Sequence, residues 1–139
     1  GNAEALPYSD DSFDLITCVG SLERVLDPAT ALAEMRRVGK ADARYCIMVR
    51  NAGTLGWKLR AAVSSGTNDG HAGANTLDGW TRLLEGNGFR ILTVVPDQFP
   101  LQRRARWRSL FLRPVSDHQL IDAPLQGANE FVFLLRKDG

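Results

Sequence analysis

A chain of 139 residues, 44% apolar and 24% charged, is long enough to bury one core and has the composition of an ordinary globular domain. No apolar run approaches the roughly 20 residues that span a bilayer, and the opening Gly1-Asn2-Ala3-Glu4 lacks the basic-then-apolar pattern of a secretory leader. A net charge of +1 gives the whole chain no electrostatic case for nucleic acid. Cys18 and Cys46 lie in apolar runs without zinc-type spacing. They read as buried free thiols suited to a reducing cytoplasm, and no metal site is expected.

Phe13–Val19 (FDLITCV) is apolar with little polar alternation, the pattern of a strand buried on both faces in a parallel sheet. Asp27 caps a helix that Pro28 opens. Leu32, Met35 and Val38 form its apolar stripe, Arg36, Arg37 and Lys40 load its last turn, and Gly39 ends it. Tyr45–Val49 is the second strand, so strand, helix and strand form a right-handed crossover unit. A short helix is expected over Leu55–Val63, then a loop rich in Ser, Gly, Asn and Thr from Ser64 to Asn75. Thr76 caps a helix with Leu77, Trp80, Leu83 and Leu84 on one stripe, and Asn87-Gly88, both tolerant of the left-handed conformation, stop it. Phe89–Val95 is the third strand, a helix carrying several arginines is expected over Leu101–Leu112, and Glu130–Arg136 is the last strand. With no repeat and no linker, the pattern predicts one layered α/β domain.

The opening stretch Gly1–Val25, GNAEALPYSDDSFDLITCVGSLERV, resembles a segment of the class I S-adenosylmethionine-dependent methyltransferase family, type 11 branch. Its form there is G-D-A-E-x-L-P-F-x-D-x-S-F-D-x-V, followed by a strand and a turn often ending in Glu-His-Val. The resemblance continues through Asp27-Pro28 and Ala31–Val38, through Thr76-Leu77-Asp78-Gly79-Trp80 and the LEGNGF run, to a final antiparallel strand at Asn129–Lys137. It departs from the family at Asn2, where Asp is commoner, at Arg24, where His is common, and at Gly39–Ala43, where Lys-Pro-Gly-Gly is usual. The resemblance implies a partial doubly wound, Rossmann-like sheet holding the family's strands 4-5-7-6, the last one antiparallel, with flanking helices. Residues 1–139 would then be the C-terminal portion of one methyltransferase domain.

The resemblance implies S-adenosyl-L-methionine as cofactor. Asn2 would take the adenine-side acidic position, Ala3 the neighbouring amide, and Cys18, Val19 and Gly20 the methionine side. The family's first strand, Gly-x-Gly loop and ribose-gripping acidic residue have no counterpart in this chain, so the fragment alone is expected to be inactive. Arg24, Asn51 and His71 are candidates for a substrate pocket; no catalytic side chain is singled out, and His118 is given no role. The implied reaction is methyl transfer to a small-molecule acceptor. Two other readings remain open at this point: an RNA methyltransferase using Arg103, Arg104, Arg106 and Arg108, or a non-catalytic scaffold with a degenerate cofactor site. Without the family's first strand, Phe13–Val19 becomes a sheet edge low in charge and free of proline, so it is expected to be covered by a second copy of the chain, by an exchanged segment or by an N-terminal part.

Overall fold

The computed structural model describes residues 1–54, 57, 73–97 and 125–139. The sequence-predicted helices over Leu55–Val63 and Leu101–Leu112, with the arginines of the latter, His71 and His118, lie outside the described residues. The described elements are β1 (Phe13–Val19), a one-turn helix at Leu22–Arg24, α1 (Pro28–Val38), β2 (Gly39–Arg50), α2 (Leu77–Gly86), β3 (Phe89–Pro96), a second one-turn helix at Leu125–Gly127, and β4 (Glu130–Lys137).

The strands form one sheet in the order β1-β2-β4-β3, with β1 parallel to β2 and β4 antiparallel to both of its neighbours. This is the predicted order 4-5-7-6 with an antiparallel last strand. Its register aligns residues in rows across the sheet. One face carries Ile16, Tyr45, Leu135 and Ile91 in one row and Cys18, Ile47, Phe133 and Val94 in the next. These join Leu32 and Met35 of α1 and Trp80 and Leu84 of α2 in a single core. Both helices therefore pack on the same face, and burying each such large apolar side chain stabilises the fold by about 1.5–3 kcal/mol.

Both helices start as the sequence predicts. The Asp27 carboxylate accepts from the amides of Ala29 (3.0 Å) and Thr30 (3.3 Å), and the Thr76 hydroxyl accepts from the Gly79 amide at 3.2 Å. These bonds satisfy amides that a helix start leaves open.

Several expectations are corrected. Phe13–Val19 is not buried on both faces, because β1 is the sheet edge and Leu15 and Val19 are exposed. Cys18 is buried, but Cys46 is only half-buried, since it points to the face opposite the helices. The second strand begins at Gly39 rather than Tyr45, directly from the end of α1. Gly39 ends the helix in an extended conformation (φ −79°, ψ 141°), so its glycine answers a close approach: a Cβ there would collide with the Tyr45 hydroxyl. The residues between Gly39 and Arg44 are taken up as an irregularity in the β1–β2 ladder, which pairs Phe13 with Gly39 and then Leu15 with Arg44. At the end of α2 only Gly88 takes the left-handed conformation (φ +76°); Asn87 stays at φ −100° and donates its side-chain amide to the Leu83 carbonyl at 2.7 Å.

Candidate functional site

The first twelve residues have almost no regular structure, and polar bonds to α1 place them. Arg37, in the last turn of α1, reaches back to four groups. It donates to the carbonyls of Tyr8 (2.8 Å) and Leu6 (3.0 Å), and to the carboxylates of Asp10 (2.7 Å) and Glu34 (2.7 and 2.9 Å). Glu34 also accepts from the Leu6 amide at 2.8 Å. The Arg37 hydrogen bond, helped by that amide, holds the Glu34 carboxyl down to about 2, and Glu34 and Asp10 together push the Arg37 guanidinium up. The amides of Asp11 and Ser12 then donate to the Arg37 and Val38 carbonyls at 3.0 and 2.7 Å, closing carbonyls that the helix end leaves open. Residues 1–12 are thereby folded against α1 at the edge of the sheet.

Between this segment, β1 and α1 lies an apolar cavity of about 370 Å³. Ala3, Leu6 and Tyr8 form one wall, β1 with Ser21 another, and Met35 and Val38 of α1 a third. The structure thus brings Ala3, Cys18 and Val19, three of the five sequence-predicted cofactor residues, to one cavity. The other two adjoin them. The Asn2 side-chain oxygen accepts from the Glu4 amide at 3.0 Å in a local turn. Gly20, at φ +59°, turns the chain at the end of β1 while its amide donates to the Met48 carbonyl at 2.9 Å. Burial pushes the Cys18 thiol up; the Leu22 amide opposes this and the nearby Glu23 charge adds to it. At neutral pH Cys18 is a neutral lining group rather than a nucleophile.

The predicted substrate residues are not gathered there. Arg24 is exposed on the one-turn helix after β1. Asn51 is buried just past β2, and its side chain is bonded within the chain: Nδ2 donates to the Ala128 carbonyl and Oδ1 accepts from the Gly53 amide, each at 2.8 Å. With the Trp80 indole donating to the Arg50 carbonyl at 2.9 Å, these bonds knit the carboxyl end of β2 to α2 and to the approach to β4. His71 lies outside the described residues.

Sequence reasoning missed two groups. Ser21 and Thr17 are the polar lining of the cavity, a role no motif marked. Glu23 is 3% exposed, and its Oε2 has no hydrogen-bond partner among the described residues. Its acidic character between the apolar Leu22 and Val25 was a weak signal, since Arg24 beside it is charged and exposed. Among the described residues there is no cluster of His, Cys, Asp and Glu able to hold a metal, and no helix long and apolar enough to cross a membrane.

Comparison with known proteins bears on the same residues. Residues 1–47, which include the Ala3, Cys18 and Val19 lining, match the family model described as a methyltransferase domain. The match covers 47 of the 139 residues, and over that segment the chain is similar to class I methyltransferases of the type 11 branch. It is similar to the ubiquinone/menaquinone biosynthesis C-methyltransferase UbiE of Marinomonas sp., 49% identical over 47 residues, 34% of this chain and 19% of that protein. It is also similar to the uncharacterized methyltransferase YcgJ of Bacillus subtilis, 44% identical over 48 residues, again 34% and 19% of the two chains. These matches span about a fifth of the length of either relative.

Among solved structures, a methyltransferase from Thermotoga maritima, titled a possible histamine N-methyltransferase, superposes with a TM-score of 0.71 at 22% identity, covering 99% of this chain and 62% of that one. The structure of B. subtilis YcgJ superposes with a TM-score of 0.58 at 22% identity over 100% and 70% of the two chains. At such identities the superpositions show the Rossmann-like fold alone, and they extend beyond the 47 residues matched in sequence.

Proposed function

We propose that residues 1–139 are the C-terminal portion of a single methyltransferase domain that moves a methyl group from S-adenosyl-L-methionine to a small-molecule acceptor. The observation that carries this reading is the cavity joining Ala3 to Cys18 and Val19 inside the family-matched segment.

The cavity fits one side of the cofactor. Its walls are mainly apolar, as an adenine face requires, and the Ala3 amide has no acceptor among the described residues. Asn2 Oδ1 keeps a second lone pair beyond the one used by Glu4, available to an exocyclic amino group. Cys18, Val19 and Gly20 would line the methionine side. Among the described residues no glycine loop follows a strand to cradle the methionyl group, and no acidic residue stands where the family grips the ribose. This chain therefore fits part of the cofactor. The bound cofactor supplies an activated methyl group on a sulfonium. The protein residues hold and orient the reactants, and alignment alone is worth up to about 7–11 kcal/mol of the barrier.

A small acceptor is supported by relatives whose names specify quinone-pathway or demethylmenaquinone methylation. The similar structure of a Burkholderia thailandensis N1-methyltransferase, solved with 1,6-didemethyltoxoflavin and S-adenosylhomocysteine, points the same way. Two free cysteines accord with a reducing compartment. Titration calorimetry with S-adenosylmethionine tests the reading. The 139-residue chain is expected to bind more weakly than about 1 mM, or −4 kcal/mol, and the full polypeptide encoded by its gene near 1 μM, or about −8 kcal/mol. Absence of binding by the full polypeptide would overturn it.

A further inference from the structure

Glu23 is a buried acid that neither the fold nor the cofactor cavity uses. It sits in the one-turn helix Leu22–Arg24, just past the carboxyl end of β1, the pole at which open α/β sheets bind their ligands. Its neighbours on either side of the turn differ in what they need. Leu22 is wholly buried in the core, and Arg24 faces outward. A leucine or methionine at position 23 would satisfy the same burial at no polar cost. Instead the carboxylate is 3% exposed, forms no ion pair among the described residues, and leaves Oε2 enclosed without a donor.

The described surroundings offer no compensation. The nearest thiol, Cys18, stays protonated, and the Glu23 charge is one cause of its raised pKa. Backbone crowding fixes the turn instead of relieving it. A Cβ on Gly73 would lie 2.7 Å from the Glu23 carbonyl oxygen, so glycine at 73 lets the chain pass tightly against residue 23. An enclosed acceptor without a donor is destabilising, and more so when charged. Such groups persist where something outside the chain completes them. The position is also the Glu of the Glu-Arg-Val turn, next to Ser21 of the cavity wall.

We propose that the Glu23 carboxylate is an acceptor-binding group, receiving an O–H or N–H donor of the molecule to be methylated. The inference rests on the methyltransferase reading for the nature of that molecule. It restricts the acceptor class to neutral or cationic molecules bearing a donor next to the methylated atom. Carboxylates and phosphates at that point are disfavoured by like-charge repulsion.

The test uses the full polypeptide encoded by the gene and two variants, Glu23→Gln and Glu23→Leu, with phenol and anisole as probes of one ring with and without a donor. Ligand-observed NMR on the wild type should show phenol binding at least tenfold more tightly than anisole. Both variants should lose that preference while keeping their thermal midpoint, with Glu23→Leu equal to or above wild type. Their binding of S-adenosylhomocysteine should stay within twofold of wild type. A wild type that does not prefer phenol, or a preference retained in both variants, overturns the proposal. So does a loss of S-adenosylhomocysteine binding in folded Glu23→Gln, which would assign the carboxylate to the cofactor. Failure of the wild type to bind S-adenosylhomocysteine strikes the methyltransferase reading instead, and the phenol–anisole comparison still decides the role of Glu23.

Discussion

On the face of the sheet that carries α1 and α2, Tyr45, Ile47, Val49, Phe131, Phe133 and Leu135 are each at most 1% exposed, while on the opposite face Leu15, Val19 and Leu134 are 60%, 59% and 40% exposed. The same strands supply both sets, residue by alternate residue. The covered face is a finished core, with Trp80 and Leu84 from α2 and Leu32 and Met35 from α1 closing over it. The open face is apolar without a described cover. Its rows run Val19, Met48, Val132 and Val95, then Thr17, Cys46, Leu134 and Thr93, then Leu15, Arg44, Arg136 and Arg90. Met48, Cys46, Val132 and Val95 on this face are half-buried, while Leu15, Val19 and Leu134 stay exposed as apolar side chains suited to contact.

The strongest way to break the comparison is to truncate neighbours on one strand. Phe133→Ala should destabilise by about 3–5 kcal/mol, whereas Leu134→Ala should cost well under that, since its side chain already meets solvent. Urea unfolding of both variants checks it, and equal losses would mean that the open face is packed after all. A smaller effect probes how the covered face is closed. Thr76→Ala removes the cap of α2 and should cost about 1 kcal/mol by the same assay, loosening the helix that seats Trp80.

Acid should act at the sheet edge rather than on the core. The folded pKa of Glu34, about 2, lies below its ordinary value of 4.5, so its stabilising contribution is complete above about 4.5. That contribution is lost as pH falls toward 2. Glu34→Gln should flatten the dependence of the thermal midpoint on pH in that window while leaving its slope above pH 5 unchanged. A variant profile parallel to wild type through the window would mean that the bonds from Arg37 and Leu6 do not persist in solution.

The open face gives the smallest energies and the clearest change in state. We propose that the 139-residue chain on its own associates through the β1 edge. Leu15→Lys with Val19→Lys should then shift it to a single chain in sedimentation velocity, with stability changed by no more than about 0.5 kcal/mol. A wild-type chain that sediments as a monomer at all concentrations would remove that proposal. Arg136→Thr sharpens the contrast. Arg44, Arg136 and Arg90 stand directly opposite one another across three strands, so relieving one like charge should stabilise by about 0.2–1 kcal/mol.

Much of this was legible along the chain. Strand β1, the Asp27 and Thr76 caps, the stripes of both helices and the final strand follow from period, caps and turn residues, which are local and written in adjacent positions. The 1–25 motif carries the family resemblance, and three of the residues it marks, Ala3, Cys18 and Val19, line one cavity. Other features belong to pairs of residues far apart in sequence. Strand β2 starts six residues earlier than its apolar run because pairing with β1 extends it, and Gly39, which caps α1, has to be glycine because the Tyr45 hydroxyl lies against it. Arg37 looked like a cation placed for the helix dipole, but its bonds to Leu6, Tyr8, Asp10 and Glu34 hold the segment that forms one cavity wall. Asn51 and Glu23 carry the same lesson in opposite directions. Asn51, a candidate for the substrate pocket, is bonded within the chain, and Glu23, which no motif singled out, has an enclosed oxygen without a donor among the described residues. Composition and period determine which residues prefer burial and in which elements they lie. Only the tertiary structure decides which face is covered and which polar groups find partners, because both depend on chain segments that meet through folding rather than through adjacency.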